Sequence, residues 1–166
     1  RFSALALAIR DSLDQTNGPK HIGCRVNAGP LPHKHWLSEP EIGGGRLLGE
    51  GCHFFDFMAW LTDSTPVSVS AQMVGDLTDE IVAIVKYANG SVGTLIYTRM
   101  GHAAFPNERL HAFARRRVAL LADFRSLALS GLPGTSLTSP SPATPPPTLF
   151  AYSPAPAPRS SPPPAL

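Results

Sequence analysis

The stretch Gly43–Asp56, GGGRLLGEGCHFFD, decides the fold of this chain of 166 residues. Three consecutive glycines lose too much backbone freedom to lie inside a helix, so they predict the approach to a helix that begins near Arg46. Apolar residues then recur at helical spacing in two adjacent stripes, Leu47, Gly51, Phe54, Met58 and Leu61 beside Leu48, Cys52, Phe55 and Ala59. The pattern predicts a helix that packs against a sheet or lies between two layers.

A third stripe of the same helix carries polar groups and consists of Gly49, His53, Asp56 and Trp60. It places bare backbone one turn before an imidazole and a carboxylate one turn after it. We therefore expect that a ligand can approach closely at Gly49. His53 is a candidate general acid or base, because an imidazole exchanges protons near neutral pH.

Glu50 has two interpretations that the sequence leaves open. It lies three residues before His53, a spacing that lets its carboxylate orient the imidazole. It also lies four residues after Arg46, with which it can form an ion pair in the first turn of the helix.

The motif resembles the GGG-x-L-x-D-x-G-x-H-x-x-D helix of the Gfo/Idh/MocA oxidoreductases. The resemblance runs from the loop at 27–32 to about Leu129, and the matching helix positions are Gly43, Gly44, Gly45, Gly51, His53 and Asp56. The catalytic aspartate of that family falls at Gly49 here, with Glu50 next to it.

This resemblance implies the C-terminal domain of an enzyme that moves a hydride between NAD or NADP and the CH–OH carbon of a sugar, polyol or related compound. It implies that His53 exchanges the substrate proton with help from Glu50. The resemblance further implies that the cofactor lies near Gly49 and that Asn27 lines the substrate pocket. His35 and Trp36 are also expected to line it, because an aromatic face beside a hydrogen-bond donor suits a sugar or polyol. The alternative for Trp36 is that it only packs the loop against the domain.

No G-x-G-x-x-G motif follows a strand in this sequence. We therefore expect NAD or NADP to be bound mainly by a Rossmann domain that this sequence lacks, and the chain alone to turn over negligibly. A different class of function also fits, a noncatalytic binding or oligomerisation module with a vestigial site. Gly49 in place of the aspartate favours that alternative.

Hydrophobic periodicity elsewhere predicts a short helix around 5–13 and a set of strands. The strands are expected at His21–Asn27, Val67–Met73, Glu80–Tyr87, Ser91–Arg99, Glu108–Ala114, Val118–Leu121 and Phe124–Leu129. Asn89-Gly90 predicts a two-residue hairpin turn. Together these elements predict an α+β domain with an open, largely antiparallel mixed sheet and helices on one face. The other face, with Val92, Thr94, Ile96 and Thr98, suits either a homo-oligomer interface or an intramolecular core.

Composition excludes several function classes. A formal net charge of +2 gives no electrostatic case for a nucleic-acid partner, and no apolar run approaches the roughly 20 residues that span a bilayer. We expect a cytoplasmic protein with two buried free thiols, Cys24 and Cys52. His33 and His35 lack a third ligand nearby, so no metal site is predicted.

The end of the chain differs in composition from the rest. Most of the 18 prolines follow Leu132, in a stretch with too few large apolar residues to offset the entropy of ordering. We expect a domain at 1–131 and a disordered tail at 132–166. A ligand for proline-recognition domains is the alternative interpretation of that tail.

Overall fold

Seven strands form a single mixed sheet in the order β2-β3-β4-β1-β5-β6-β7. The computed structural model describes residues 3–16, 18–31, 35–38, 40–75 and 77–131, so the predicted tail and His33 lie outside the described residues. Neighbouring strands are antiparallel except β1 and β4, which run parallel. The strands are β1 His21–Asn27, β2 Pro66–Val74, β3 Leu77–Tyr87, β4 Val92–Thr98, β5 Glu108–Ala114, β6 Arg117–Ala122 and β7 Ser126–Ser130. The predicted fold class is confirmed.

Helices α1, Ala4–Asp14, and α3, Cys52–Thr62, cover one face of this sheet. Alternate residues of each central strand are buried beneath them, as Leu95 and Tyr97 of β4 show, while Ile96 between them is exposed. The main core cluster comprises Ala6, Ile9, Leu13, Ile22, Cys24, Val26, Phe57, Met58, Leu61, Ile81, Ala83, Val85, Tyr87, Leu95, Tyr97, Leu110, Ala112, Ala114, Ala119 and Leu121. None of the helices that the structure describes combines the length and the apolar character needed to span a bilayer.

The glycine-led helix differs from the prediction at its first turn. Gly44 and Gly45 adopt left-handed backbone angles, φ 66° and 85°, after the short helix α2, Pro40–Gly43. After Arg46, the five residues Leu47–Gly51 form a π-helical turn that leads directly into α3. Such a turn holds more residues than an α-helical turn and so rotates the side chains that flank it.

The second apolar stripe is consequently not buried along its length. Leu48 is 68% exposed, and Cys52 is exposed as well. The helix therefore packs against the sheet on one side instead of lying between two layers. The predicted burial is correct for Cys24 but wrong for Cys52.

Polar contacts fix the far end of α3. Lys20 is buried, and its Nζ donates to the carbonyl of Leu61 at 2.9 Å. The side-chain amide of Asn89 donates to the carbonyl of Thr62, also at 2.9 Å. Asn89 lies in the predicted hairpin, which is confirmed, although four residues (88–91) rather than two separate its strands. Both contacts satisfy carbonyls that the helix itself leaves unpaired.

Two other hairpin turns use residues that rarely adopt left-handed angles. Arg115 and Arg116 have φ values of 37° and 71° between β5 and β6. Asp123 and Phe124 have φ values of 49° and 51° between β6 and β7. Positive φ at both central positions gives the turn twist that matches paired strands, at a steric cost for residues with a Cβ atom.

Candidate functional site

A cavity of about 520 Å³ opens where the π-helical turn, the first turns of α3, the end of β1 and the start of β5 meet. Its lining combines ionisable and aromatic side chains, which are the groups that orient a polar ligand. The lining residues are Val26, Ala28, Arg46, Glu50, His53, Phe54, Asp56, Phe57, Asn107, Glu108 and Phe124.

His53 lies in the first turn of α3 and borders this cavity. Its side chain is exposed, so the imidazole can exchange protons with solvent and with a bound molecule. Asp56, one turn later, borders the same cavity. The arrangement has what proton transfer at a bound alcohol requires, while the catalytic role of His53 stays a prediction.

Arg46 connects three segments around the cavity. Its guanidinium is buried, and Nε and Nη2 both donate to Oε2 of Glu50, at 3.2 and 2.9 Å. Nη1 also donates to the carbonyl of Gly29 at 2.5 Å, and Nη2 to that of Ala28 at 3.2 Å. Of the two interpretations of Glu50, the structure therefore contains the ion pair with Arg46. Assistance to His53 by Glu50 stays a prediction.

Tyr97, on β4, donates its hydroxyl to the same oxygen, Oε2 of Glu50, at 2.5 Å. Burial raises the pKa of Tyr97 above its usual range, and the hydrogen bond to the carboxylate raises that pKa further. Three donors thus converge on one oxygen of Glu50. None of the described residues donates to the other oxygen, Oε1, which leaves an acceptor at the cavity wall.

Glu108 supplies a second carboxylate to the cavity from the first position of β5. It is half-buried, and burial raises the pKa of its carboxyl group, with further increases from the negative charges of Asp123 and Glu50. Sequence reasoning placed Glu108 on a strand but missed it as a site residue. The available signal was parity, because Glu108 shares a face with the buried Leu110 and Ala112.

Asn27, predicted to contact substrate, lies outside the cavity lining. Its side chain is buried and Nδ2 donates to the carbonyls of His102 and Phe105, at 3.0 and 3.2 Å. The residue therefore holds the loop between β4 and β5, and its neighbours Val26 and Ala28 border the cavity instead. A substrate contact by Asn27 stays a prediction, although its side-chain donors are already occupied.

His35 and Trp36, the other predicted substrate contacts, also lie outside the lining. Nδ1 of His35 accepts the backbone N–H of Leu37 at 3.3 Å. The two rings lie 5.8 Å apart, and Trp36 is 55% exposed. These contacts organise the loop before the glycines, and substrate contact by His35 and Trp36 stays a prediction.

Gly49, predicted to lie beside the cofactor, is in contact with another side chain of this chain, that of Leu37. The side chain of Leu37 occupies the space that a Cβ atom at Gly49 would need. A side chain at Gly49 would therefore displace the end of the Leu37 side chain, whichever ligand binds nearby. The predicted role of Gly49 in cofactor binding stays a prediction.

The described residues do not fit the phosphates of NAD or NADP. Three of the cavity's ionisable residues are the carboxylates Glu50, Asp56 and Glu108, and the one guanidinium, Arg46, is engaged with Glu50 and with backbone carbonyls. A pyrophosphate needs free N–H donors or cations instead. Within the described ranges, no group of three or more histidine, cysteine, aspartate or glutamate side chains is placed to hold a metal ion.

Comparison with solved structures identifies the fold. Aldose-aldose oxidoreductase from Caulobacter crescentus, complexed with glycerol, is similar at a TM-score of 0.66 and 16% identity, over 78% of this chain and 42% of that chain. UDP-N-acetylglucosamine 3-dehydrogenase GnnA from Acidithiobacillus ferrooxidans has a TM-score of 0.62 and 21% identity, over 78% and 40%. The WlbA dehydrogenase from Bordetella pertussis, in complex with NADH and UDP-GlcNAcA, has a TM-score of 0.61 and 16% identity, over 74% and 40%.

These similarities show a shared fold, and the chain spans about 40% of the length of those proteins. A comparison with curated protein sequences gives no match. The family model described as the GFO/IDH/MocA C-terminal domain matches residues 18–116, more than half of the chain and including the whole glycine-led helix. The chain therefore belongs to the GFO/IDH/MocA family and corresponds to its C-terminal domain.

Proposed function

We propose that this chain is the substrate-side domain of an NAD(P)-dependent oxidoreductase that acts on the CH–OH group of a sugar, polyol or related compound. The observation that carries the proposal is the exposed imidazole of His53 at the wall of an open cavity. Family membership and the sugar-related names of the similar structures support the same reaction class.

The chain's own residues have distinct tasks in this proposal. His53 accepts the proton of the substrate hydroxyl when the alcohol is oxidised and returns it when the carbonyl is reduced. Glu50, fixed by Arg46 and Tyr97 through Oε2, receives a hydrogen bond from a second hydroxyl at Oε1. NAD or NADP is assigned to a Rossmann domain, because the described residues provide no phosphate site.

Isothermal titration tests whether the nucleotide cofactor is bound by another domain. We expect no micromolar binding of NAD(H) or NADP(H) to the chain alone. Micromolar affinity would show that the chain itself holds the nucleotide and would overturn the assignment to another domain.

Variants of α3 test the catalytic role. In an enzyme assembled from this chain and the Rossmann domain of a relative, we expect His53→Ala to lower kcat by about 100-fold or more, the usual contribution of a general acid or base. Cys52→Ala is the matched control, because Cys52 is the exposed neighbour that does not line the cavity. Unchanged kcat and KM in His53→Ala would remove the proposed proton transfer.

An oligomerisation module is the second candidate function, and the open sheet face favours it. Val82 of β3 and Ile96 of β4 lie directly opposite each other and are both 45% exposed. Ile84, Phe113 and Leu120 extend this apolar surface along the same face. The proposed partner is a second copy of this chain, which would cover these side chains.

Sedimentation measures this association directly. We expect the chain to dimerise at micromolar concentrations and Ile96→Lys to be monomeric. Leu7→Lys is the control, because Leu7 is similarly exposed but lies on α1, away from the open face. A wild-type chain that stays monomeric at about 100 μM, some hundredfold above a dissociation constant of about 1 μM, would contradict this function.

A further inference from the structure

The ionisable groups of the described cavity lining are mostly acidic. Besides Asp56, the described lining residues include the carboxylates of Glu50 and Glu108 and one guanidinium, that of Arg46. With His53 neutral, Glu50, Glu108 and Arg46 together carry a formal excess of one negative charge. A ligand that enters this wall experiences a negative potential, since partly enclosed walls focus the field of their charges.

The single guanidinium is not available to a ligand anion. Arg46 is 4% exposed, and each of its three nitrogens donates to a group of the protein. To receive a carboxylate or phosphate, Arg46 would have to release Glu50 or the carbonyls of Ala28 and Gly29. Either change would leave a buried polar group unpaired.

The acceptors, in contrast, are available. Oε1 of Glu50 receives no hydrogen bond from the described residues, since Arg46 and Tyr97 all donate to Oε2. The carboxylate of Glu108 likewise receives none from them. Burial raises the pKa of this carboxyl group, and the negative charges of Asp123 and Glu50 raise it further. Carboxylate oxygens in this state accept hydrogen bonds from hydroxyl and ammonium groups.

We propose that this cavity selects uncharged or amine-bearing polyols and rejects sugars that carry a carboxylate or phosphate. The inference rests on the proposed function, because it names the substrate class of the same site. It concerns the wall that this chain builds, so it can be tested with the chain itself.

Ligand-observed NMR titration of the chain with three pyranoses of similar size provides the test: glucosamine, glucose and glucuronate. We expect glucosamine to bind best and glucuronate to bind about tenfold or more weakly than glucose, the ratio expected for unit charges a few ångströms from like charges in a partly aqueous site. The differences in affinity among the three sugars should become smaller at high salt, because salt screens the charges. Equal binding of glucuronate and glucose would overturn the inference.

Glu108→Gln identifies the source of the selectivity. The variant keeps the shape of the side chain and removes its charge, so we expect glucuronate to gain several-fold in affinity while glucosamine loses affinity. Glu41→Gln is the control, because Glu41 is an exposed residue of α2 outside the lining. This variant should leave the differences in affinity among the three sugars unchanged. If the affinities of the three sugars differ as much in Glu108→Gln as in the wild type, the inference is overturned.

Absence of binding by all three sugars has a different meaning. It would overturn the proposed sugar site itself and this inference with it. Binding in the wrong order, in contrast, would contradict only the charge selection and would leave the proposed function standing.

Discussion

Tyr97 and Glu50 are joined by a hydrogen bond of 2.5 Å from the tyrosine hydroxyl to Oε2, the oxygen that also receives two N–H groups of Arg46. The bond connects a central strand of the sheet to the π-helical turn before α3. The candidate site is therefore positioned by a buried polar cluster as well as by apolar packing. Such clusters give high specificity to one arrangement when every member is satisfied.

Replacement of Arg46 by alanine should be strongly destabilising. The variant leaves two backbone carbonyls without a donor and Glu50 without its cation, so we expect the free energy of unfolding to fall by about 2–3 kcal/mol. Urea unfolding measures the change. Arg10→Ala is the control, because Arg10 pairs with Asp14 and Asp63 at the surface and should cost less than about 1 kcal/mol. If both variants lost the same free energy of unfolding, the stabilising role of the buried Arg46 contacts would be contradicted.

Alkaline pH should destabilise the domain through its buried tyrosines and thiol. Burial raises the pKa of Tyr87 from 10.0 to about 12 and that of Cys24 from 9.0 to about 12, and the pKa of Tyr97 is also raised. A raised pKa in the folded state means that the protonated form stabilises the fold. This stability is complete below the unfolded-state pKa and is lost as the pH rises through the folded-state pKa.

Urea unfolding between about pH 8 and about pH 11 checks this prediction, since that range begins below the unfolded-state pKa values of tyrosine and cysteine. We expect the free energy of unfolding to decrease steadily above about pH 9. Tyr87→Phe removes one of the titrating groups, so its decrease should be shallower than that of the wild type. Parallel curves for the two proteins would show that Tyr87 does not contribute to the pH dependence.

Substitutions in the turn between β5 and β6 should stabilise the domain. Arg115 and Arg116 both have left-handed backbone angles, which asparagine and glycine adopt at lower cost. We expect Arg115→Asn with Arg116→Gly to raise the free energy of unfolding by about 1 kcal/mol and the Tm by a few degrees. In Arg125→Gly, which replaces a residue at an ordinary φ, the Tm should fall instead. A lower Tm in the double variant would argue against strain in this turn.

A side chain at Gly49 should displace the end of the Leu37 side chain, whatever the cofactor. Because only the terminal Cδ2 methyl of Leu37 is in close conflict, Gly49→Ala should cost about 1 kcal/mol through overpacking. Gly23→Ala is the control, because a Cβ atom there would meet its nearest neighbour at an ordinary 3.4 Å.

A double-mutant cycle with Leu37→Ala isolates this contact. The two changes should be less costly together than the sum of their separate costs, because the shortened side chain makes room for the new methyl group. Strict additivity would show that Leu37 is not the obstacle at Gly49.

Most of the sheet could be predicted, because the alternation of buried and exposed residues in a strand is a pattern of neighbouring positions in the sequence. β1 and β5 have the predicted bounds, and the exposed Ile96 lies on the face that its parity assigned. The π-helical turn could not be predicted, because an α-helix fits the same apolar spacing. Arg46 bound to distant carbonyls and Leu37 packed on Gly49 are tertiary contacts that accompany the turn and have no local signature.

The site was only partly predictable for a similar reason. His53 was identified from a motif within one helix, and the structure places it at the cavity. Glu108 comes from a strand 55 positions later, and only the register of β5 beside β1 brings it to the same place. The family resemblance implies a pocket contact by Asn27, but its side-chain amide donates to the loop between β4 and β5.

The extra residue of the π-helical turn also sets the angular phase between Arg46–Glu50 and His53. Removal of one residue from Leu47–Gly51 would allow the segment to continue as a regular α-helix, in which each residue advances the direction by about 100°. The ion pair and the imidazole would then point to different sides of the helix axis. A deletion that shortens the chain by a single residue would thus separate the two halves of the site, even though every side chain involved was retained.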